Sequence, residues 1–99
     1  MSELKFTWDD RKDAANQRKH GISFEDAILV FEDDNARLIP DPNHSEDEDR
    51  YVLLGRCSQL RILVVCHCYR NEGHSVRIIS ARKANKSETN QYEGFRHAR

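Results

Sequence analysis

The sequence predicts an α+β fold: a small single domain in which an antiparallel sheet carries two N-terminal helices and one C-terminal helix. Three observations predict it. Helical apolar spacing is confined to the residues before 32. Strand-like runs then follow between 50 and 81, separated by short polar turns, and a fresh helix-capping pattern opens at Asn85. With 99 residues, of which 37% are hydrophobic and 33% charged, the chain makes one domain, 1–99, around a small core.

Residues 4–8 alternate in hydropathy and predict a short first strand. Asp9 is placed to cap a helix over 10–19, with Asp10 in its first turn and Arg18 and Lys19 in its last, where each charge suits the helix dipole. Gly21 supplies the left-handed residue that ends it. Ser23 and Asp26 stand in S-x-x-D spacing, a relative of the capping box, and Ile22 can staple against Ala27. Phe24, Ala27, Ile28 and Phe31 then form an i, i+3, i+4, i+7 stripe for the core face of a second helix. Residues 36–40 predict another strand, ended by Pro40 and Pro42, and 41–49 a polar, mostly acidic loop. Strands over 50–56, 60–69 and 76–81 follow as a meander, the most apolar of them, 60–69, at its centre. Asn85 and Glu88 start the last helix, with Tyr92 and Phe95 docking it on the sheet. All the helices are expected on one sheet face.

No apolar stretch approaches the roughly 20 residues of a membrane span. The opening Met1-Ser2-Glu3-Leu4-Lys5 lacks the apolar region of a secretory signal. A cytoplasmic protein with no membrane association is expected. Three cysteines without regular spacing are not a disulfide framework. Cys66 and Cys68 share a strand face and are expected to be small buried hydrophobes. With His67, His74 and Cys57 they match no zinc-ligand spacing. Adjacent acids such as Glu46-Asp47-Glu48-Asp49 do not converge on one ion. Glycines stand at 21, 55, 73 and 94, in no nucleotide-binding pattern. No metal and no cofactor is expected.

The net charge of −1 hides a polarity. Residues 1–49 hold 6 Lys/Arg against 14 Asp/Glu, a net of −8, and residues 50–99 hold 10 against 3, a net of +7. Such a split suits a basic face for nucleic acid and an acidic face for a basic partner, or two halves that neutralise each other within one fold.

The run Arg77-Ile78-Ile79-Ser80-Ala81-Arg82-Lys83 places cations at both ends of a buried strand. Arginine presents a planar fork of donors that matches phosphate oxygens in pairs. In an unbroken strand Arg77 and Arg82 point to opposite faces, and they converge only if the backbone kinks near Ser80-Ala81. The remaining His, Lys, Arg and Glu side chains suit metal-free RNA cleavage. In that reaction a 2′-hydroxyl attacks the adjacent phosphorus, a base and an acid move the protons, and cations stabilise the transition state. Structural roles are equally open: His20 as a helix cap, His44 as a loop residue, His67 as a half-buried strand residue, and Glu48 with Arg50 as a surface ion pair.

Two blocks, Lys19-His20-Gly21-Ile22-Ser23-Phe24-Glu25-Asp26-Ala27 and Arg77-Ile78-Ile79-Ser80-Ala81-Arg82, resemble the BrnT-type toxins. So do Phe6-Thr7-Trp8-Asp9, Lys12, Asn16, Val30-Phe31, Asp33, Asp41-Pro42, His44-Ser45, Glu48, Arg50, Gly55, Lys83-Ala84, Glu88 and Tyr92. The resemblance covers residues 6–93. It implies a RelE-like fold and the ribonuclease toxin of a type II toxin–antitoxin pair that arrests growth by cleaving RNA. It implies a ribbon-helix-helix antitoxin, a 2:2 complex, and contact with promoter DNA only through that antitoxin. Matched residue by residue, it implies catalytic roles for His20, Glu48, Arg50, Arg77 and Arg82. Lys12, Lys19 and Lys83 are the candidate RNA contacts. The rival expectation is a module without catalysis that acts only as a co-repressor.

Overall fold

Short-range capping sets the helices of the computed structural model, which describes residues 4–40, 50–58 and 61–97. The elements run β1 (Lys5–Thr7), α1 (Asp10–His20), α2 (Phe24–Ala27) passing directly into a 3-10 turn (Ile28–Glu32), and β2 (Arg37–Pro40). After these come β3 (Arg50–Ser58), β4 (Arg61–Arg70), a 3-10 turn (Asn71–Gly73), β5 (Ser75–Lys83) and α3 (Lys86–His97). Asp9 Oδ1 accepts from the Arg11 amide at 2.8 Å, and Gly21, at φ 72°, donates its N–H to Gln17 O. Ser23 Oγ accepts from the Asp26 amide at 3.1 Å. The Asp26 carboxylate turns away to Arg61, also 3.1 Å, so the reciprocal half of that box is replaced by a tie to β4. At α3 the box is complete: Glu88 N donates to Asn85 Oδ1 (2.8 Å) and Asn85 N to Glu88 Oε1 (2.9 Å).

The second helix is shorter than its apolar stripe predicts. One α turn gives way to 3-10 geometry, and the fully buried residues are Phe24, Ala27 and Val30. Their i, i+3, i+6 spacing is the three-residue period of a 3-10 helix, whereas Ile28 and Phe31 are only partly buried.

The sheet has the order β1-β5-β4-β3-β2, with β4 central as its apolar composition predicts. β2, β3, β4 and β5 are antiparallel neighbours. β1 joins parallel to β5, through Lys5↔Ser75, Phe6↔Val76 and Thr7↔Arg77, so the sheet is mixed rather than wholly antiparallel. β1 is three residues long and leaves the rest of the β5 edge open. Asn16 of α1 fills that gap as a strand would. Its side chain donates to Ala81 O at 2.8 Å and accepts from Ala81 N at 3.1 Å, and it also donates to Ile22 O at 2.9 Å. These bonds satisfy backbone groups that an edge would otherwise leave unmade.

The expectation that all helices share one sheet face is corrected. Leu53, Leu63, Val65, Val76, Ile78 and Ala81 point inward to Ile22, Phe24, Ala27 and Val30, the layer of α1 and α2. Leu54 and Val64, the alternate positions, point outward and pack with Tyr92 of α3. Alternation along β3 and β4 leaves an apolar strip on both faces, and α3 covers part of the outer one. Phe95, expected to dock beside Tyr92, has its side chain outside the described residues. On the inner face Gly55 gives the 3-10 segment room to approach. A Cβ there would lie 3.0 Å from Ala36 Cβ and 3.3 Å from Val30 Cβ.

Candidate nucleic-acid interface

The outer sheet face collects the arginines. Cross-strand partners point to one side of a sheet, so the register Arg50↔Cys68↔Arg77 sets Arg50 of β3 and Arg77 of β5 on the same face, either side of Cys68. The two backbones are two strand spacings apart, about 9.5 Å. A second row, Leu54↔Val64↔Arg82, lies on that face four residues further along β4, about 13 Å away. Arg77 and Arg82 share the face because β5 bulges: His67 pairs with Ile78 and Cys66 with Ser80, leaving Ile79 as the extra residue. This is the kink that the spacing of the two arginines requires, displaced by one residue from Ser80-Ala81. The same alternation brings Arg56 of β3 and Arg70 of β4 to the outer face. Sequence reasoning missed both as site residues, although Arg50 and Arg56 stand at positions of equal parity.

The arginines differ in what holds them. Both nitrogens of the Arg82 fork donate to Glu88 of α3, each at 2.8 Å. The bonds from Arg82 hold the Glu88 carboxyl below its ordinary value, and the Glu88 carboxylate raises the guanidinium. Arg82 is therefore a tie between β5 and α3. Arg56 lies over the Tyr92 ring, 5.8 Å from its centroid, and 3.5 Å from Glu93. Arg50 and Arg77 carry no ion pair among the described residues, and Arg50 Nε is buried without a hydrogen-bond partner. Both guanidinium groups are partly buried and stand in one row of the sheet face.

The other predicted residues are not brought to this row. His20, partly exposed, is one turn beyond Asn16 on the same side of α1, along the β5 edge. No hydrogen bond or ion pair joins it to another described residue. Lys12 and Lys19 are exposed on α1. Lys83 is exposed at the end of β5 and, opposite Leu63, takes inward parity. Glu48, His44 and the acidic run Glu46-Asp47-Glu48-Asp49 lie outside the described residues.

His67 is fully buried on the inner face, beyond the half-burial expected of it. Its Nδ1 lies 3.1 Å from Val65 O, a carbonyl that can only accept, so Nδ1 carries the proton and Nε2 accepts from the Tyr69 hydroxyl at 3.3 Å. Phe31 and Tyr69 meet the ring edge-on, with centroids 4.9 and 5.2 Å away. Burial lowers its pKa against the opposing bond to Val65, so the ring is neutral and structural. Among the described residues no three His, Cys, Asp or Glu side chains are grouped to hold a metal ion. None of the described helices is long and apolar enough to cross a membrane.

A small α+β domain that gathers several arginines on one sheet face, two of them without an ion pair among the described residues, has the kind of charge distribution that polyanion-binding proteins use. The particular family follows from comparison. The chain belongs to the family described as "Ribonuclease toxin, BrnT, of type II toxin-antitoxin system", whose sequence profile matches residues 8–88. The 1.1 Å crystal structure of the Brucella abortus ribonuclease toxin BrnT is similar to it, with a TM-score of 0.68 and 29% identity, over 85% of this chain and 100% of that one. No curated protein sequence matches the chain. Membership makes this a ribonuclease toxin of a toxin–antitoxin pair and implies an antitoxin partner.

Proposed function

We propose that the toxin cleaves RNA without a metal ion, by attack of a ribose 2′-hydroxyl on the adjacent phosphorus, and that Arg50 and Arg77 hold the phosphate. The row Arg50–Cys68–Arg77 carries this reading: two guanidinium groups on one face with no described ion pair. Charge builds on the phosphoryl oxygens in the transition state, and fixed cations at that point lower the barrier. Arg82 supports the face through Glu88 and α3. The proton transfers are assigned to Glu48, two residues ahead of Arg50 in the chain, and to His20 at the β5 edge. Lys12, Lys19 and Lys83 are assigned to the RNA backbone on either side.

The partner is proposed to be a ribbon-helix-helix antitoxin in a 2:2 cytoplasmic complex, since two such chains must pair to make one DNA-binding unit. Promoter DNA is then met only through the antitoxin. The test is cleavage of single-stranded RNA by antitoxin-free protein in EDTA. Products ending in a 2′,3′-cyclic or 3′ phosphate are expected. Activity lost in EDTA and restored by Mg²⁺ overturns the metal-free mechanism.

A further inference from the structure

Three of the five large apolar side chains exposed among the described residues belong to one stretch of chain. They are Leu29 on the 3-10 turn and Leu38 and Ile39 on β2, at 42%, 47% and 38% exposure. The fold draws them to one edge. Val30 and Ala36 both crowd the site of the missing Cβ at Gly55, so the 3-10 turn rests over the start of β2. Leu38 follows two residues on, with the inner parity of Ala36 and about 6.7 Å from it. β2 is the last strand of the sheet, and among the described residues no strand pairs with its far side. An edge strand that keeps exposed apolar side chains is a template for a further strand.

The charge at this edge is of one sign. Residues 21–36 carry five carboxylates and no Lys or Arg. Asp26 is taken by Arg61, and Asp33 by Tyr92 and the Arg56 amide. Glu25, Glu32 and Asp34 are exposed and have no ion pair among the described residues. The nearest strand cation, Arg37, stands opposite Leu54 and takes outer parity. An acidic rim around exposed apolar residues repels RNA and attracts a basic polypeptide.

We propose that the β2 edge is a docking site for the antitoxin, which lays an extended segment of apolar residues and Lys or Arg alongside β2. This rests on the reading of the partner as an antitoxin. The added strand bonds to the outward main-chain groups of β2. Its alternate side chains meet Leu38 on the inner face and Ile39 on the outer, and its cations meet Glu32 and Asp34. A second copy of this chain fits the edge less well. Two-fold pairing of β2 with β2 would bring the two acidic rims together.

The experiment binds the toxin to the antitoxin co-expressed from its own locus and measures hydrogen exchange and affinity. Slowed exchange across residues 37–39 is expected in the complex. The double variant Glu32→Lys, Asp34→Lys is expected to keep the parent's unfolding midpoint and to lose at least tenfold in affinity, mainly through slower association at low salt. Leu38→Asp is expected to lose as much; should it fail to fold, the charge variant decides. Unchanged exchange at 37–39, or a charge variant that binds as the parent does, overturns the inference. So does a toxin that is dimeric alone and becomes monomeric on Leu38→Asp while still binding the antitoxin, which assigns the edge to a second copy. If the functional reading is at fault the result differs: no protein from the locus binds the parent toxin, and both proposals fall.

Discussion

The hydroxyl of Tyr92, on α3, donates a 2.6 Å hydrogen bond to Asp33 Oδ2, which lies in the loop before β2 on the far side of the sheet edge. The same oxygen accepts from the Arg56 amide at 2.8 Å, on the stretch of β3 that β2 does not cover. Asp33 thus closes the β3 edge and reaches the helix on the opposite face. With the packing of Tyr92 on Leu54 and Val64 and the contacts of Arg56, this link and the Arg82–Glu88 fork anchor α3 to the sheet.

Tyr92→Phe keeps the buried ring and removes only the donor. A hydrogen bond to a carboxylate contributes about 1.5–3 kcal/mol, so stability in urea or heat should fall by about that much, or on the order of 4–8 °C per kcal/mol in a chain of this size. An unchanged midpoint would remove Asp33–Tyr92 as an anchor of α3.

Arg50, Arg77 and Arg82 should separate by assay. Arg50→Ala and Arg77→Ala are expected to lower RNA cleavage by roughly 10²–10³-fold while leaving the unfolding midpoint near the parent's. Arg82→Ala should lower the midpoint, and a double-mutant cycle with Glu88→Gln should show coupling of about 0.5–1 kcal/mol for so exposed a pair. If Arg82→Ala abolishes cleavage with no loss of stability and no coupling to Glu88, Arg82 belongs with the phosphate-holding pair.

Acid should unfold the protein in two stages. Burial depresses His67 below its ordinary 6.5, so the unfolded chain takes up that proton first and stability declines as the pH falls below 6.5. Burial pushes Asp33 upward, but the bonds from Tyr92, Arg56 N and Asn35 N outweigh it and hold the carboxyl below its ordinary 3.8. Glu88, held by Arg82, sits below 4.5. Their contributions are complete above those ordinary values and are lost as the pH falls through the depressed ones. Denaturation curves from pH 8 to 3 should show both slopes, the upper one disappearing in His67→Gln. A flat profile between pH 6.5 and 5 would contradict a neutral buried His67.

Asn16→Ala should be among the most damaging single changes. It leaves Ala81 N, Ala81 O and Ile22 O without their partner in a buried setting. Each such loss costs about 1–3 kcal/mol, so a total of about 3 kcal/mol or more is expected in chemical denaturation. A loss under about 1 kcal/mol would mean that water or another group replaces the amide.

Much of the fold was legible because its signals are local. Asp9, Gly21, Ser23 and Asn85 mark helix ends by bonds that span two to four residues, and the apolar strand at 60–69 could only be central. The alternation that places Cys66 and Cys68 on one face is equally local. Three features were decided by tertiary structure. β1 pairs parallel with β5, and Asn16 completes that edge, across 65 residues of chain. α3 crosses to the outer face because Leu54 and Val64 need cover there, which depends on α1 and α2 having filled the other side. The bulge at Ile79 turns Arg82 to the face of Arg77, and Glu88 then engages it. Periodicity states which residues share a face only while the strand is regular. Register, bulges and the choice of face depend on packing between segments distant in the chain, and there Arg82 and Arg56 acquired their partners on α3.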